Sequence, residues 1–191
     1  LQLSLRAPEE QPEYSWVGLT ARAIGTIVHA ELHRLATLPA LPAEGAPELL
    51  ARDYAAWLAD LGVAAAERAD AGARIVAALR NTLSDPRGRW LLRSDQREAQ
   101  AEIRLSGIYE GRVINIVLDR MFVDEHSRRW IVDFKTSTHE GGAVALFLQA
   151  ELQRYRPQLL RYMALARELG PEPVHAALYF PLLGEFCELP P

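Results

Sequence analysis

One stretch of the chain restricts the fold more than any other, because it holds two apolar runs separated by a short run of charges. Residues 113–123 are largely apolar, residues 124–129 are charged or polar, and residues 130–134 are apolar again apart from one aspartate. Two such runs joined by a short polar turn are typical of a β-hairpin. A turn centred near His126 then sets the register of the two predicted strands.

The predicted hairpin brings three ionisable side chains together. Its register places Asp119 opposite Asp133, with side chains about 5 Å apart, and alternation along the strand puts Lys135 on the same face as Asp133. Two carboxylates this close in an apolar setting do not both ionise cheaply unless a cation lies between them. The hairpin therefore predicts a divalent-metal site beside an ammonium group. A structural ion pair, or a hairpin with solvated charges, is the alternative interpretation.

The lysine of this group is unusual for the chain. Lys135 is the only lysine among the 21 lysine and arginine residues. Arginine stays charged and cannot act as a general base, whereas the pKa of a lysine ammonium can be lowered beside a metal. A lysine kept only at this position indicates a site where arginine does not serve.

The composition limits the class of protein. The chain has 191 residues, of which 49% are hydrophobic and 24% charged, as expected for one globular domain with a real core. Its net charge of −4 excludes a basic domain that holds nucleic acid by charge alone. Cys187 is the only cysteine, which excludes an internal disulfide and a cysteine-ligated cluster within this chain.

The sequence shows no sign of a membrane segment or a signal peptide. No apolar run approaches the roughly 18 residues of a membrane span, and the first residues, LQLSLRAPEE, lack a basic segment and a long apolar core. We therefore expect a cytoplasmic protein that has no membrane partner. Because the chain begins with Leu1 rather than methionine, we also expect it to be a fragment of a longer protein.

Apolar periodicity predicts helices in the first half of the chain and mainly strands after it. Helices are expected at 19–36, 47–61, 65–83 and 143–169, the last broken or kinked near Arg156-Pro157. Strands are expected at 99–105, 113–123, 130–134, 175–180 and 185–189. Because 113–123 is apolar on both sides, it is predicted to be a central strand covered on both faces. We expect residues 1–15 to form a linker or arm and 16–191 a single α/β domain.

A histidine on the first predicted helix is a further candidate. His29 can complete a hard-metal site as one imidazole ligand, although a lone helical histidine is more often structural. The surrounding string HAELH is similar to a zinc-protease signature. Glu31, however, lies about 200° around the helix from His29, so the two side chains do not share one site.

Two other groups of polar residues could belong to the same site. Gln158 and Tyr162 lie one turn apart on one face of the last long helix, close to Tyr155. Alone, this arrangement is typical of an amphipathic helix. Glu102 lies in the strand before the hairpin, where it is either a surface residue or a further acid near the metal.

Taken in order along the chain, these motifs resemble a known family. The string HAEL with a glycine upstream is followed by AEIRLSG, VLDR, VDFKTS and YRPQLLRYMALAREL. This set resembles the RecB/AddA-type nuclease domain of the PD-(D/E)XK superfamily, from about residue 16 to 181. The resemblance implies a restriction-endonuclease-like mixed β-sheet flanked by helices, with an N-terminal helical portion.

The resemblance also implies roles for individual residues. Asp119 and Asp133 are implied to ligate Mg²⁺ or Mn²⁺ together with His29 and the backbone carbonyl of Phe134. Lys135 is implied to orient or deprotonate the attacking water, or to stabilise charge on the phosphorane. The remaining candidates are implied to support the site and the nucleic-acid strand, and they are Gln158, Tyr162 and, less closely matched, Glu102.

The family's partners follow from the same resemblance. It implies exonucleolytic processing of DNA ends in recombinational repair, with a UvrD-like helicase domain in the same parent chain and a possible second subunit. The chain itself lacks the motif G-x-x-x-x-G-K-[ST], so ATP would serve only an absent helicase part. The alternatives are a nuclease fold that binds DNA or a partner without cleaving, a CRISPR-associated iron–sulfur exonuclease, against which the missing cysteines argue, and a zinc hydrolase.

Overall fold

The structure is a computed structural model, and it describes residues 18–43, 46–49, 51–138 and 143–190. The predicted arm at 1–15 and the domain boundary after it lie outside these residues, so both stay predictions. Within the described part of the chain, no helix combines the length and the apolar character that crossing a bilayer requires.

Helices form the first half of the chain. The first, α1, matches the expected range, because its apolar residues recur at helical spacing and face the core. The helices are α1 (Leu19–Ala36), α2 (Ala46–Leu49), α3 (Ala51–Asp60), α4 (Arg68–Ser84), α5 (Pro86–Leu92) and α6 (Val144–Ala166). A short 3-10 helix, Arg167–Leu169, ends α6.

The strands of a five-stranded sheet begin after α5, and they lie in the sheet in chain order. They are β1 (Arg97–Tyr109), β2 (Arg112–Val123), β3 (Arg129–Phe134), β4 (Val174–Phe180) and β5 (Glu185–Glu188). All neighbouring pairs are antiparallel except β3 and β4, which are parallel because α6 crosses between them. The prediction of a mixed sheet with flanking helices is confirmed.

Each face of the sheet carries its own hydrophobic core. The first core lies between the sheet and the N-terminal helices, and its strand residues include Phe122, Trp130 and Phe134. The second core lies between the sheet and α6, and it includes Leu118 and Ile131. The alternation of side chains along β3 therefore sends successive residues into different cores.

The ribbon formed by β1 and β2 changes faces at one position. In β2, Leu118 packs in the second core, whereas Phe122 packs in the first. In β1 the same change occurs between Ala101 and Ile103. Between them, Glu102 has a φ of +53°, which non-glycine residues seldom adopt. The register of β1 and β2 places Glu102 alongside Asp119. Because the ribbon changes faces here, neither acid packs into either of the two cores.

The hairpin between β2 and β3 has the expected register. Arg120 pairs with Val132, and Val123 pairs with Arg129. The turn is held by Asp124, whose carboxylate accepts bonds from the backbone N–H groups of His126 and Arg128 and from the Arg128 guanidinium and the Trp130 indole. The charged turn is therefore held in one conformation by hydrogen bonds to a buried carboxylate at its centre.

Three expectations about the elements are wrong. β2 is not covered on both faces along its whole length, because Val113 is 75% exposed where the ribbon extends beyond the helices. The helix α5 was not expected, although Asp85 caps it through two backbone N–H groups and Pro86 follows in the favoured first position. α6 runs through Pro157 as one helix, so the predicted break does not occur, and the alternative of a kink there stays a prediction.

Candidate active site

The first helix lies close to the end of β3 because a glycine allows it. A Cβ atom built on Gly25 would lie 3.1 Å from the hydroxyl of Thr136, just after the candidate lysine. One turn later, His29 reaches β2, and its Nδ1 lies 3.3 Å from an oxygen of Asp119. Gly25 therefore allows α1 to approach the end of β3, and this close approach brings His29 to Asp119.

Asp119 continues the β2–β3 pairing with its side chain. The described backbone pairs end at Arg120 and Val132, one residue before Asp119 and Asp133. The Asp119 carboxylate then accepts a 2.7 Å bond from the backbone N–H of Phe134. This contact fixes Asp119 at the mouth of the hairpin with its other oxygen turned toward His29.

Asp133 is the buried acid of the group, with 5% of its surface exposed. Its Oδ2 lies 2.6 Å from the Lys135 ammonium, yet no hydrogen bond of proper geometry reaches that oxygen within the described residues. Burial raises the pKa of Asp133 to about 6, and the negative charge of Asp119 adds to the shift, while Lys135 and His29 oppose it. The oxygen is therefore incompletely satisfied by the protein alone.

The helix α6 supplies the other partners of Asp133. The Gln158 amide donates to Oδ1 of Asp133 at 3.2 Å and to the Tyr162 hydroxyl at 2.6 Å. Burial, followed by the charge of Asp133, raises the pKa of Tyr162 to about 12, so its hydroxyl stays protonated. The glutamine and tyrosine of YRPQLLRY are thus linked by hydrogen bonds to the aspartate of VDFKTS.

The imidazole of His29 lies between the two acids and the solvent. Partial burial alone would lower the pKa of His29, but the hydrogen bond and charge of Asp119, together with Asp133, raise it. The ring also meets the Phe134 ring edge to face, with centroids 6.1 Å apart. Metal ligation requires the neutral ring, so binding of a cation would compete with protonation of His29.

Glu102 is placed differently from the other candidates. Its carboxylate lies 2.9 Å from Nδ1 of His33, one turn after His29 on α1, and both side chains are substantially exposed. Among the described contacts, none joins Glu102 directly to Asp119 or Asp133. The structure thus brings together five candidate side chains, which are His29, Asp119, Asp133, Lys135 and Gln158, with Tyr162 behind them, and it holds Glu102 alongside.

The donor set suits a hard divalent cation. His29 contacts Asp119, the charges of both act on Asp133, and one oxygen of Asp133 is buried without a hydrogen bond. Carboxylate and carbonyl oxygens with water are the ligands of Mg²⁺ and Mn²⁺. Across the described ranges, no group of three His, Cys, Asp or Glu side chains is arranged so that it could hold a metal ion, so the fit rests on the chemistry of the donor atoms. The residues present fit the cation, and the carbonyl of Phe134 as a further ligand stays a prediction.

Comparison with known proteins decides the family. The sequence model of the PD-(D/E)XK nuclease superfamily matches residues 2–185, nearly the whole chain. This chain belongs to the PD-(D/E)XK nuclease superfamily. The D-x-K pattern of the superfamily's name stands at Asp133 and Lys135, at the end of β3. A search among curated proteins finds no significant match to the sequence.

Two residues of this PD-(D/E)XK site had no predicted role. His33 follows His29 by four residues, so the sequence places both histidines on the same face of α1. The partner of His33, Glu102, is evident only from the placement of β1. Tyr155 was noted beside Gln158, yet its contact with Lys135 depends on where α6 crosses the sheet. Glu31, excluded from the site by its angle on α1, is buried in an ion pair with Arg34.

Proposed function

We propose that this PD-(D/E)XK domain is a metal-dependent deoxyribonuclease that hydrolyses phosphodiester bonds. The observation that carries the proposal is the convergence of Asp119, Asp133 and Lys135, with a buried carboxylate oxygen that the protein leaves without a hydrogen bond. Members of the superfamily are typically nucleases that use divalent metals such as Mg²⁺. Burying the Asp133 carboxylate beside a second acid costs folding free energy, and an inactive nuclease fold would have no reason to keep this arrangement.

Each residue has a role in the proposed reaction. A bound Mg²⁺ or Mn²⁺ lowers the pKa of its water, neutralises phosphate charge and orders the in-line geometry. Asp119 and Asp133 hold the cation, and His29 offers the imidazole that completes the set. The ammonium of Lys135, beside Asp133, orients the attacking water or balances charge on the phosphorane.

The residues behind the metal ligands keep the geometry fixed. Gln158 holds Oδ1 of Asp133, and Oδ2 lies beside Lys135, where it would be available to a bound cation. Tyr162 in turn fixes Gln158. Outer hydrogen bonds of this kind orient ligands, and their removal commonly costs about 10- to 100-fold in metal affinity or activity.

The finer function rests on the order of the motifs. The RecB/AddA-type set of His, Asp, Asp-x-Lys and Gln-x-x-x-Tyr supports an exonuclease that processes DNA ends in recombinational repair. On this proposal, a helicase part of the same parent chain feeds the strand, either alone or with a second subunit, and only that helicase part uses ATP. The net charge of −4 favours delivery of DNA by such a partner over capture by charge.

A cleavage assay with several DNA forms tests the proposal. End-labelled single strands, linear duplexes and circles are incubated with Mg²⁺, Mn²⁺ or EDTA, and the protein is compared with Asp133→Ala and Lys135→Ala. We expect metal-dependent cleavage of linear DNA by the unsubstituted protein, none by Asp133→Ala and only a small residual rate by Lys135→Ala. Equal cleavage by all three proteins would reject the proposed site, and digestion of circles would replace the exonuclease with an endonuclease.

A further inference from the structure

The helix α6 meets the end of β3 through a regular series of contacts. Alternate residues along the strand end advance by about 6.7 Å, and residues three or four apart on a helix advance by about 4.5–6 Å, so the two series stay nearly in step. From the inside outward, the contacting pairs are Asp133 with Gln158, Lys135 with Tyr155, and Ser137 with Glu151.

The central pair of this series brings a cation against an aromatic ring. The ammonium nitrogen of Lys135 lies 3.8 Å from the centroid of the Tyr155 ring. Only 6% of Tyr155 and 16% of the lysine side chain are exposed, so water screens the contact weakly. An ammonium within about 6 Å of a ring centroid is attracted to the ring face, and more strongly when it is desolvated.

The Tyr155 ring restricts the position of the Lys135 ammonium more than Asp133 alone does. A lysine side chain is flexible, and an attraction to one carboxylate oxygen leaves the ammonium free to turn around that oxygen. With the Tyr155 face on one side and Asp133 on the other, the ammonium has two fixed neighbours. This restricts the position of the ammonium beside Asp133.

We propose that Tyr155 is a positioning residue for Lys135, acting through the face of its ring. The inference rests on the proposed function, in which Lys135 assists phosphodiester hydrolysis. Because the face of the ring is what matters, a phenylalanine at position 155 should serve and an aliphatic leucine should not.

Steady-state cleavage kinetics with Mg²⁺ give the first test. We expect Tyr155→Leu to lower kcat by roughly 5- to 30-fold, which corresponds to the free energy of one partly desolvated cation–π contact. KM should stay within about twofold, because the lysine acts in the chemical step more than in binding. Tyr155→Phe should restore kcat to within about threefold. The matched control is Tyr109→Leu, the same change at a partly buried position in the second core.

A double-mutant cycle separates positioning from general damage. In the Lys135→Ala background, adding Tyr155→Leu should cause no further loss of the residual rate, because the ring has no ammonium left to hold. If the two losses multiply, Tyr155 acts on the fold or on another group, and the inference is wrong. Loss of activity in Tyr155→Phe equal to that in Tyr155→Leu would also contradict it.

A spectroscopic test does not depend on activity. Because Lys135 is the only lysine, selective labelling with ¹³C-lysine gives a single set of side-chain signals. In the metal-free protein, the ring current of Tyr155 should shift the ε-CH₂ protons upfield of their position in the urea-unfolded chain, and Tyr155→Phe should keep this shift. An unshifted signal in the folded protein overturns the inference even if the chain cleaves DNA. A shifted signal in an inactive protein upholds the contact and rejects only the nuclease.

Discussion

Replacing the buried acid with its neutral isostere should make the metal-free protein more stable while abolishing its function. In the folded chain, burial raises the pKa of Asp133 to about 6, against about 3.9 for a free aspartate. Because the folded-state pKa is the higher one, the ionised carboxylate destabilises the fold once the pH rises above about 4, and the full cost is reached above about pH 7.

The size of the effect follows from the difference in pKa. A raise of about two units corresponds to about 3 kcal/mol at pH 8. Asp133→Asn removes this cost, because asparagine has the same shape and its side-chain oxygen can still accept from Gln158. For a chain of this size, the gain should raise Tm by roughly 6–12 °C.

Thermal unfolding at pH 8 in EDTA and in Mg²⁺ measures both halves of the prediction. We expect Mg²⁺ to raise the Tm of the unsubstituted protein, because a ligand that binds only the folded state stabilises it. It should have little effect on Asp133→Asn. The control is Asp60→Asn, the same chemical change at an exposed position at the end of α3. A lower Tm for Asp133→Asn in EDTA than for the unsubstituted protein, or equal responses to Mg²⁺, would refute this account of the site.

Three further substitutions test other contacts of the structure. Asp124→Ala should cost about 3 kcal/mol in urea unfolding, because it strips partners from the hairpin turn and the Trp130 indole. Burial tends to raise the pKa of the Asp124 carboxyl, but its hydrogen bonds outweigh burial and lower the pKa. The loss of unfolding free energy in Asp124→Ala should therefore shrink as pH falls below about 4. Gly25→Val should lower cleavage at least roughly 10-fold by displacing α1, unlike Gly72→Val, where a Cβ meets nothing. Gln158→Leu should lower cleavage by roughly 10- to 100-fold without unfolding the chain, and unchanged rates would remove it from the site.

Much of the fold could be predicted because local patterns and tertiary packing agree. The stripe of apolar residues on α1 and the charged turn of the β2–β3 hairpin each specify one structure, and both elements are found as expected. Pro157 misled the prediction, because packing of α6 over the second core stabilises the helix by more than one missing backbone bond costs. The exposure of Val113 depends on where the helices end, which no strand pattern records.

The candidate site was predictable to the extent that it follows from pairing along one hairpin. The register placed Asp119 near Asp133 and Lys135, and the structure finds the three close together. The pairing of Glu102 with His33 was not predictable, because it depends on a positive φ in the ribbon and on the angle at which α1 crosses it. Such non-local geometry leaves little trace in a single sequence.

The central claim is that Asp119 and Asp133 hold the divalent cation beside Lys135. The sole lysine allows a direct measurement, because paramagnetic Mn²⁺ broadens only the signals of nearby nuclei. Titrating Mn²⁺ into the ¹³C-lysine-labelled protein should broaden the Lys135 signals at low occupancy. Excess Mg²⁺ should restore them, and Asp133→Asn should show no broadening. A lysine signal that stays sharp at Mn²⁺ concentrations that support DNA cleavage would place the metal elsewhere and contradict the account.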